Sequence, residues 1–224
     1  MGLNTRFKIT TTFLICLLLS ACSQKFSDIS STVNASVNSL TDVTLSDDEL
    51  KKLPYDSAYV SLNGNRRILM VLALIEENNL NNYQRLKWVS ADNFMIITEN
   101  GRIVKTLGFS NNLMVITSEN SLNLPAPSIQ SNKWIAYYDW MPSHRYQFTA
   151  EINSSLNKQQ TIGLSSWSLD TQHVEEKINF SELKFNFTNH YWLNQNGKVV
   201  KTIQYIGPNM DKIEMSFVKD FLPQ

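Results

Sequence analysis

The sequence predicts a mainly β protein: two pseudo-repeated antiparallel β units, built as sandwiches or partly open barrels, behind a short N-terminal helical tether. Three observations predict it. From Tyr55 onward the chain is a succession of short apolar runs separated by polar turn residues, the texture of strands and tight turns. Asn-Gly stands between two such runs twice, at Asn100-Gly101 and Asn196-Gly197; it is the strongest local hairpin signal, because a two-residue turn needs both residues to accept φ > 0. The segments around these turns, residues 93–109 and 189–205, also match at a constant offset of 96 residues. They share Val104/Val200, Lys105/Lys201 and Thr106/Thr202, with Arg102/Lys198 and Leu107/Ile203 as conservative pairs. A duplication explains this, as does independent selection for one hairpin; V-K-T lies beyond what an Asn-Gly turn demands, which favours duplication.

The elements follow in order. Arg6 and Lys8 precede an apolar run over residues 9–19 that ends in Leu19-Ser20-Ala21-Cys22. The run is shorter than the about 20 residues a resident transmembrane helix needs and suits the core of a secretory signal. Small residues before a cysteine resemble the bacterial lipobox, so residues 1–21 are expected to be cleaved and Cys22 to become the acylated (palmitate-bearing) N-terminus. Several acyl chains at about 0.8 kcal/mol per buried CH₂ anchor such a protein effectively permanently. Ser23, rather than Asp, after the cysteine implies sorting to the outer membrane, with the domain on the periplasmic face.

Residues 22–53 read as the lipidated tether. Phe26, Ile29, Val33, Val37 and Leu40 recur at helical spacing, although a disordered polar linker fits the same composition. Ser46-Asp47-Asp48-Glu49 reads as a capping box, opening a short helix that stops near Pro54. The first β half is placed at 54–118, with strands at 58–62, 68–75, 83–90, 94–98 and 102–109. The run at 68–75 is apolar enough to be a buried helix too; the flanking turn chemistry favours strand. A linker loop at 119–132 carries two prolines. The second half, 133–224, supplies strands near 134–140, 146–152, 162–169, 174–180, 184–187 and 213–218.

Composition narrows the chemistry. Cleavage leaves 203 of the 224 residues, with 18 basic and 20 acidic side chains, a net charge of about −2. Such a balance offers nothing to nucleic acid. Cys16 leaves with the signal and Cys22 is acylated, so the mature domain has neither thiol nor disulfide and depends on its core; at this size roughly 70% of the chain's surface is buried. Of the histidines, His144, His173 and His190, none has a second ligand at a spacing such as H-x-x-x-H, so no metal and no other cofactor is expected. Nucleophile elbows and phosphate-binding glycine loops are missing. Paired carboxylates would be needed for glycoside hydrolysis; Asp92, Glu99, Glu119, Asp139 and Glu151 are candidates by type only, so the protein is read as not an enzyme.

Several blocks together resemble a known family. Leu53-Pro54-Tyr55, Ala58-Tyr59-Val60, Leu86-Lys87-Trp88-Val89-Ser90-Ala91-Asp92 and Asn100-Gly101-Arg102-Ile103-Val104-Lys105-Thr106-Leu107-Gly108 are similar to blocks of the YjbF/GfcB lipoproteins. Tyr138-Asp139-Trp140-Met141-Pro142 and Asn196-Gly197-Lys198-Val199-Val200-Lys201-Thr202 fit the same pattern. The resemblance spans about residues 20–215. It implies a part in group 4 capsule or exopolysaccharide production and export, alongside envelope partner proteins, with the lipid site at Cys22 and no catalytic residue to carry over. If the polymer is contacted directly, Trp134, Tyr138 and Trp140 are candidate stacking faces, and Arg102, Lys105, Lys198 and Lys201 are candidate cations. A filled aromatic core and solvated hairpin lysines account for the same residues without a ligand.

Overall fold

The computed structural model describes residues 44–78, 83–119, 123–142, 145–164 and 167–218. The signal run, Cys22, Ser23 and the stripe from Phe26 to Leu40 lie outside them, as do His144 and the side chain of Trp167. The capping box is present. Ser46 Oγ accepts from the Glu49 N–H at 3.4 Å, and the Glu49 carboxylate accepts from the Ser46 N–H at 2.8 Å, satisfying two donors that a helix start leaves free. Those bonds hold the Glu49 carboxyl below its usual range. The resulting α1 (Asp47–Lys52) has acids in its first turn and Lys51 and Lys52 in its last, the order the helix dipole favours.

Twelve strands follow: β1 (Ser57–Leu62), β2 (Ile68–Asn78), β3 (Tyr83–Val89), β4 (Met95–Glu99), β5 (Arg102–Leu107), β6 (Asn112–Ser118), β7 (Asn132–Met141), β8 (Arg145–Leu164), β9 (Trp167–Phe180), β10 (Phe185–Leu193), β11 (Val199–Tyr205) and β12 (Lys212–Phe217). They form one antiparallel sheet in the order β5-β4-β3-β2-β1-β12-β11-β10-β9-β8-β7-β6. Each strand pairs with its chain neighbours, β1 pairs with β12, and the sheet comes round until only β5 and β6 lack a ladder. Side chains join that seam. The Leu113 N–H donates to Thr106 Oγ1 at 3.0 Å, and the Asn112 amide accepts from the Phe109 N–H and donates to its carbonyl. The two halves read from the sequence are thus six strands each of one nearly closed barrel.

Residues 68–75 are strand, as the turns around them indicated. Two readings are corrected. The strand expected across 162–169 is the end of β8 and the start of β9, two long partners in register from Leu164↔Trp167 downward. Residues 112–118, unassigned from sequence, form β6 because their backbone pairs with β7.

A twelve-stranded barrel encloses more space than ordinary aliphatic side chains fill, and here aromatic rings occupy it. Trp140, Tyr191 and Phe180 are fully buried; Tyr138 meets Phe180 edge-on at 5.2 Å, and Trp88 meets Phe217 at 5.3 Å. β1 is buried on both faces because Ala58 and Val60 enter this core, while Tyr59 and Leu69 receive Leu50 of α1 on the outer wall. Tyr59 Oη also accepts from the Leu45 N–H at 2.7 Å.

The two Asn-Gly hairpins share a backbone device and differ in their turns. In β4–β5, Ile97 pairs with Lys105 and Thr98 with Ile103, leaving Val104 as an extra residue; in β10–β11, Trp192 pairs with Lys201 and Leu193 with Val199, leaving Val200. Both bulges fall at the same place in the 96-residue offset, which supports duplication and gives V-K-T a physical reading: bulge residue, outward lysine, and a threonine (Thr106, Thr202) with no exposed surface. The turns diverge. Asn100 and Gly101 both take positive φ, 50° and 80°, in a two-residue loop, whereas in the second hairpin only Gly197 does so, and Asn194 closes a longer loop by accepting from the Lys198 and Asn196 N–H groups. A Cβ at Gly101 would lie 2.6 Å from Val199 Cβ, and one at Gly197 would meet nothing within 4 Å. Gly101→Ala is therefore expected to destabilise by about 2–4 kcal/mol, left-handed strain plus overpacking, and Gly197→Ala by about 1–2 kcal/mol from strain alone. Urea unfolding of the two variants checks the difference; equal losses would count against the Gly101–Val199 contact.

Candidate functional site

The close approach of Gly101 to Val199 brings both Asn-Gly turns to one end of the barrel. Between them and the loop after β6 opens a cleft of about 250 Å³. Its floor is apolar, from Leu72, Leu86, Trp88 and Phe217, and its rim carries Asn100 and Lys198. Trp88 Nε1 donates to the Thr98 hydroxyl at 2.9 Å, so the hydroxyl inside the cleft is already engaged. Asp56 and Gln84 also line the cleft, so its walls carry both charge signs over an apolar floor.

Beside the cleft lies a buried polar network. Arg102, the residue after the first turn, makes a two-pronged pair with Glu176 of β9, one prong being Nη2 to Oε1 at 2.9 Å and the other Nη1 to Oε2. Its Nη2 also donates to the Pro125 carbonyl at 2.8 Å, and its Nη1 to Tyr191 Oη at 3.3 Å. The guanidinium lies 5.1 Å from the Trp134 ring centre, a cation–π distance. Gln204 completes the set: its Oε1 accepts from Tyr191 Oη and the Ile103 N–H, and its Nε2 donates to the Gly101 carbonyl. Burial works against the charge of Arg102, yet Glu176 more than offsets it and holds the guanidinium above its ordinary value. Burial also pushes the phenols of Tyr138 and Tyr191 up.

The sequence-derived contact residues separate into two groups. Trp134, Tyr138 and Trp140 were candidate sugar-stacking faces, but they point into the core and are 9%, 2% and 0% exposed. Arg102, a candidate polymer cation, is consumed by Glu176. All four are interior residues of the barrel. Lys105, Lys198 and Lys201 stay on the surface but are not brought together: Lys198 is at the mouth, Lys105 lies in a shallow depression on the outer wall, and Lys201 pairs with Glu214 at 2.6 Å. Four of the five candidate carboxylates, all but Asp92, are placed with structural partners. Asp139 accepts from the Gln147 N–H at 2.7 Å, Glu119 from Tyr137 Oη, and Glu99 from the Leu124 N–H; Glu151 pairs with Lys133.

One constellation escaped the sequence. His173 and His190, read as lacking second ligands, face each other on the outer wall, with Nε2 and Nδ1 3.1 Å apart. Glu175 Oε1 lies 3.6 Å from the same Nδ1. Their separation of 17 residues matches no helical or loop spacing; antiparallel pairing of β9 with β10 supplies the proximity. Burial lowers the pKa of both imidazoles, and for His173 the neighbouring His190 adds to it.

Comparison with known proteins agrees with this architecture. A family model described as group 4 capsule polysaccharide lipoprotein GfcB, YjbF matches residues 30–218. The lipoprotein YjbF of Escherichia coli is 27% identical over 209 residues, covering 92% of this chain and 95% of that protein. The lipoprotein GfcB of Escherichia coli is 26% identical over 211 residues, with the same coverage. Among solved structures, the crystal structure of the hypothetical lipoprotein YmcC from Escherichia coli superposes with a TM-score of 0.70 at 26% identity, over 85% of this chain and 92% of that one. The match along nearly the whole barrel leads to one assignment: the chain belongs to the YjbF/GfcB family of group 4 capsule polysaccharide lipoproteins.

Proposed function

We propose that the protein is a non-enzymatic accessory of capsule or exopolysaccharide production and export, held by lipid on Cys22 at the periplasmic face of the outer membrane. The family match over residues 30–218 carries the reading. The lipobox and Ser23 support the anchor and its membrane. Among the described residues no helix is long and apolar enough to cross a membrane. The barrel also has the reverse polarity of a membrane-spanning one, whose outer band is apolar and whose interior is polar: aromatic rings fill its inside, while Lys158 and Lys177 are exposed outside. A wall of that kind works in water. Among the described residues Trp140, Tyr191 and Phe180 fill the interior that a polymer would have to cross, which supports a role beside the export route, as a scaffold for envelope proteins, and not as a conduit.

Deleting the gene in a producing strain is expected to remove most surface polysaccharide, measured by extraction and uronic-acid or sugar assay. Wild-type protein restores it, and a Cys22→Ala variant, recovered in the soluble periplasmic fraction, does not. Unchanged polymer in the deletion strain would sink the proposal.

A further inference from the structure

We infer that His173, His190 and Glu175 form a binding site for a divalent transition-metal ion of the zinc and copper class on the outer wall of the barrel. Their ligand atoms all lie within 4.8 Å of one another. Tetrahedral zinc with bonds near 2.0–2.1 Å places adjacent ligand atoms about 3.3 Å apart. Two of the three separations, 3.1 Å between His173 Nε2 and His190 Nδ1 and 3.6 Å from His190 Nδ1 to Glu175 Oε1, bracket that edge, and the third is no longer than 4.8 Å, so an ion fits once Glu175 and His173 draw together. Two imidazoles and one carboxylate select a borderline ion over magnesium or calcium, which take oxygen ligands. Three protein ligands leave a fourth position for water or for a group on a partner.

The surrounding chain is built to hold these rings. His173 and Glu175 are two apart on β9 and share the outward face, and His190 pairs directly with Glu175 from β10. Trp192 stacks on His173 at 4.6 Å and 7°, which fixes the plane of that imidazole. On β8, Leu156 pairs with Val174 and Lys158 with His173, so Asn157 is a bulge residue; bulges re-aim side chains. Here the Asn157 amide is turned onto the site, 3.3 Å from His173 Nδ1 and 2.7 Å from Glu175 Oε1. The Asn157 Nδ2 donates to Glu175 Oε1 and so orients that carboxylate from the outer shell, and with Nε2 on a metal the protonated His173 Nδ1 displaces the amide to the carboxylate alone. Glu175 and His190 are a quarter exposed or slightly more, which leaves the ion a route in.

The purified mature lipoprotein, in detergent and without a histidine tag, is titrated with zinc chloride by calorimetry and with cobalt(II) by visible absorption. One ion per chain is expected, with cobalt bands of a tetrahedral nitrogen–oxygen site, and zinc raises the melting temperature. His173→Ala and His190→Ala each weaken zinc binding by more than about 100-fold, and Asn157→Ala by about 10-fold; His144→Ala changes nothing. Glu175→Gln keeps the side-chain shape, so weakened binding in that variant at an unaltered metal-free melting temperature assigns the loss to the ligand. Absence of saturable binding to the wild type, or binding that survives both histidine substitutions, overturns the site.

Discussion

Replacing Glu176 with glutamine is expected to lower stability by about 3–5 kcal/mol, the usual cost of leaving one member of a buried ion pair without its counter-charge. Arg102 is 2% exposed and Glu176 1%, so water does not reach the stranded guanidinium. The same loss is expected for Arg102→Met, which orphans the carboxylate and the Pro125 carbonyl. The double variant Arg102→Met with Glu176→Leu removes both charges and is expected to recover most of the loss, because apolar replacements of a buried pair are often neutral. Urea unfolding of the wild type, Arg102→Met, Glu176→Leu and the double variant closes the cycle. Additive losses would show that the two side chains do not act as a unit.

That pair also explains why the two halves form one body. Arg102 stands on β5 of the first half, Glu176 on β9 and Gln204 on β11 of the second, and Gln204 holds both the Gly101 carbonyl and the Ile103 N–H. The first hairpin is thereby fastened to the second across the barrel mouth, where the cleft lies. In the sequence, Arg102 reads as a turn cation in the slot occupied by Lys198 of the matching hairpin. Nothing local distinguishes the buried arginine from the exposed lysine. The difference comes from Glu176, 74 positions away, and from a one-residue shift in pairing register, Ile97↔Lys105 against Trp192↔Lys201, that redirects the second turn.

The legible parts were those set by short-range chemistry. Ser46 and Glu49 announced α1, alternation and turn residues announced most strands, and the Asn100-Gly101 turn has the positive φ values its sequence demands. The illegible parts depend on which strands become neighbours. Residues 112–118 follow Asn111, begin with a second asparagine and carry little alternation, so β6 is recognisable only once β7 pairs with it. The long β8 and β9 hid a hairpin because residues 157–161 are polar on both faces, as suits an exposed extension of the sheet. His173 and His190 meet through the β9–β10 register alone. The aromatic residues of β7 were ambiguous for another reason: alternation separates Trp134, Tyr138 and Trp140 from Tyr137 but does not say which face is inside.

Trp140→Ala resolves that last point by its magnitude. A surface stacking residue would lose little stability on truncation, whereas a core tryptophan with no exposed area is expected to lose about 3–5 kcal/mol. Its ring sits 5.4 Å from both Phe148 and Phe180 and 5.6 Å from Tyr138, so the space it leaves would not close without moving three other aromatics. A finer test uses its one polar atom. Trp140 Nε1 donates to the Ile206 carbonyl at 2.7 Å, and a Cβ at Gly207 would come within 2.5 Å of that nitrogen. Gly207→Ala alone is expected to cost about 1–3 kcal/mol through overpacking, and Trp140→Phe alone about 1–3 kcal/mol through the unsatisfied carbonyl. Combined, the added methyl occupies part of the volume the indole vacates, so the double variant should lose less than the two singles together. Thermal unfolding measures each; a sum with no coupling would mean that Gly207 and Trp140 do not share that corner of the core, and that the indole is held there by its rings alone.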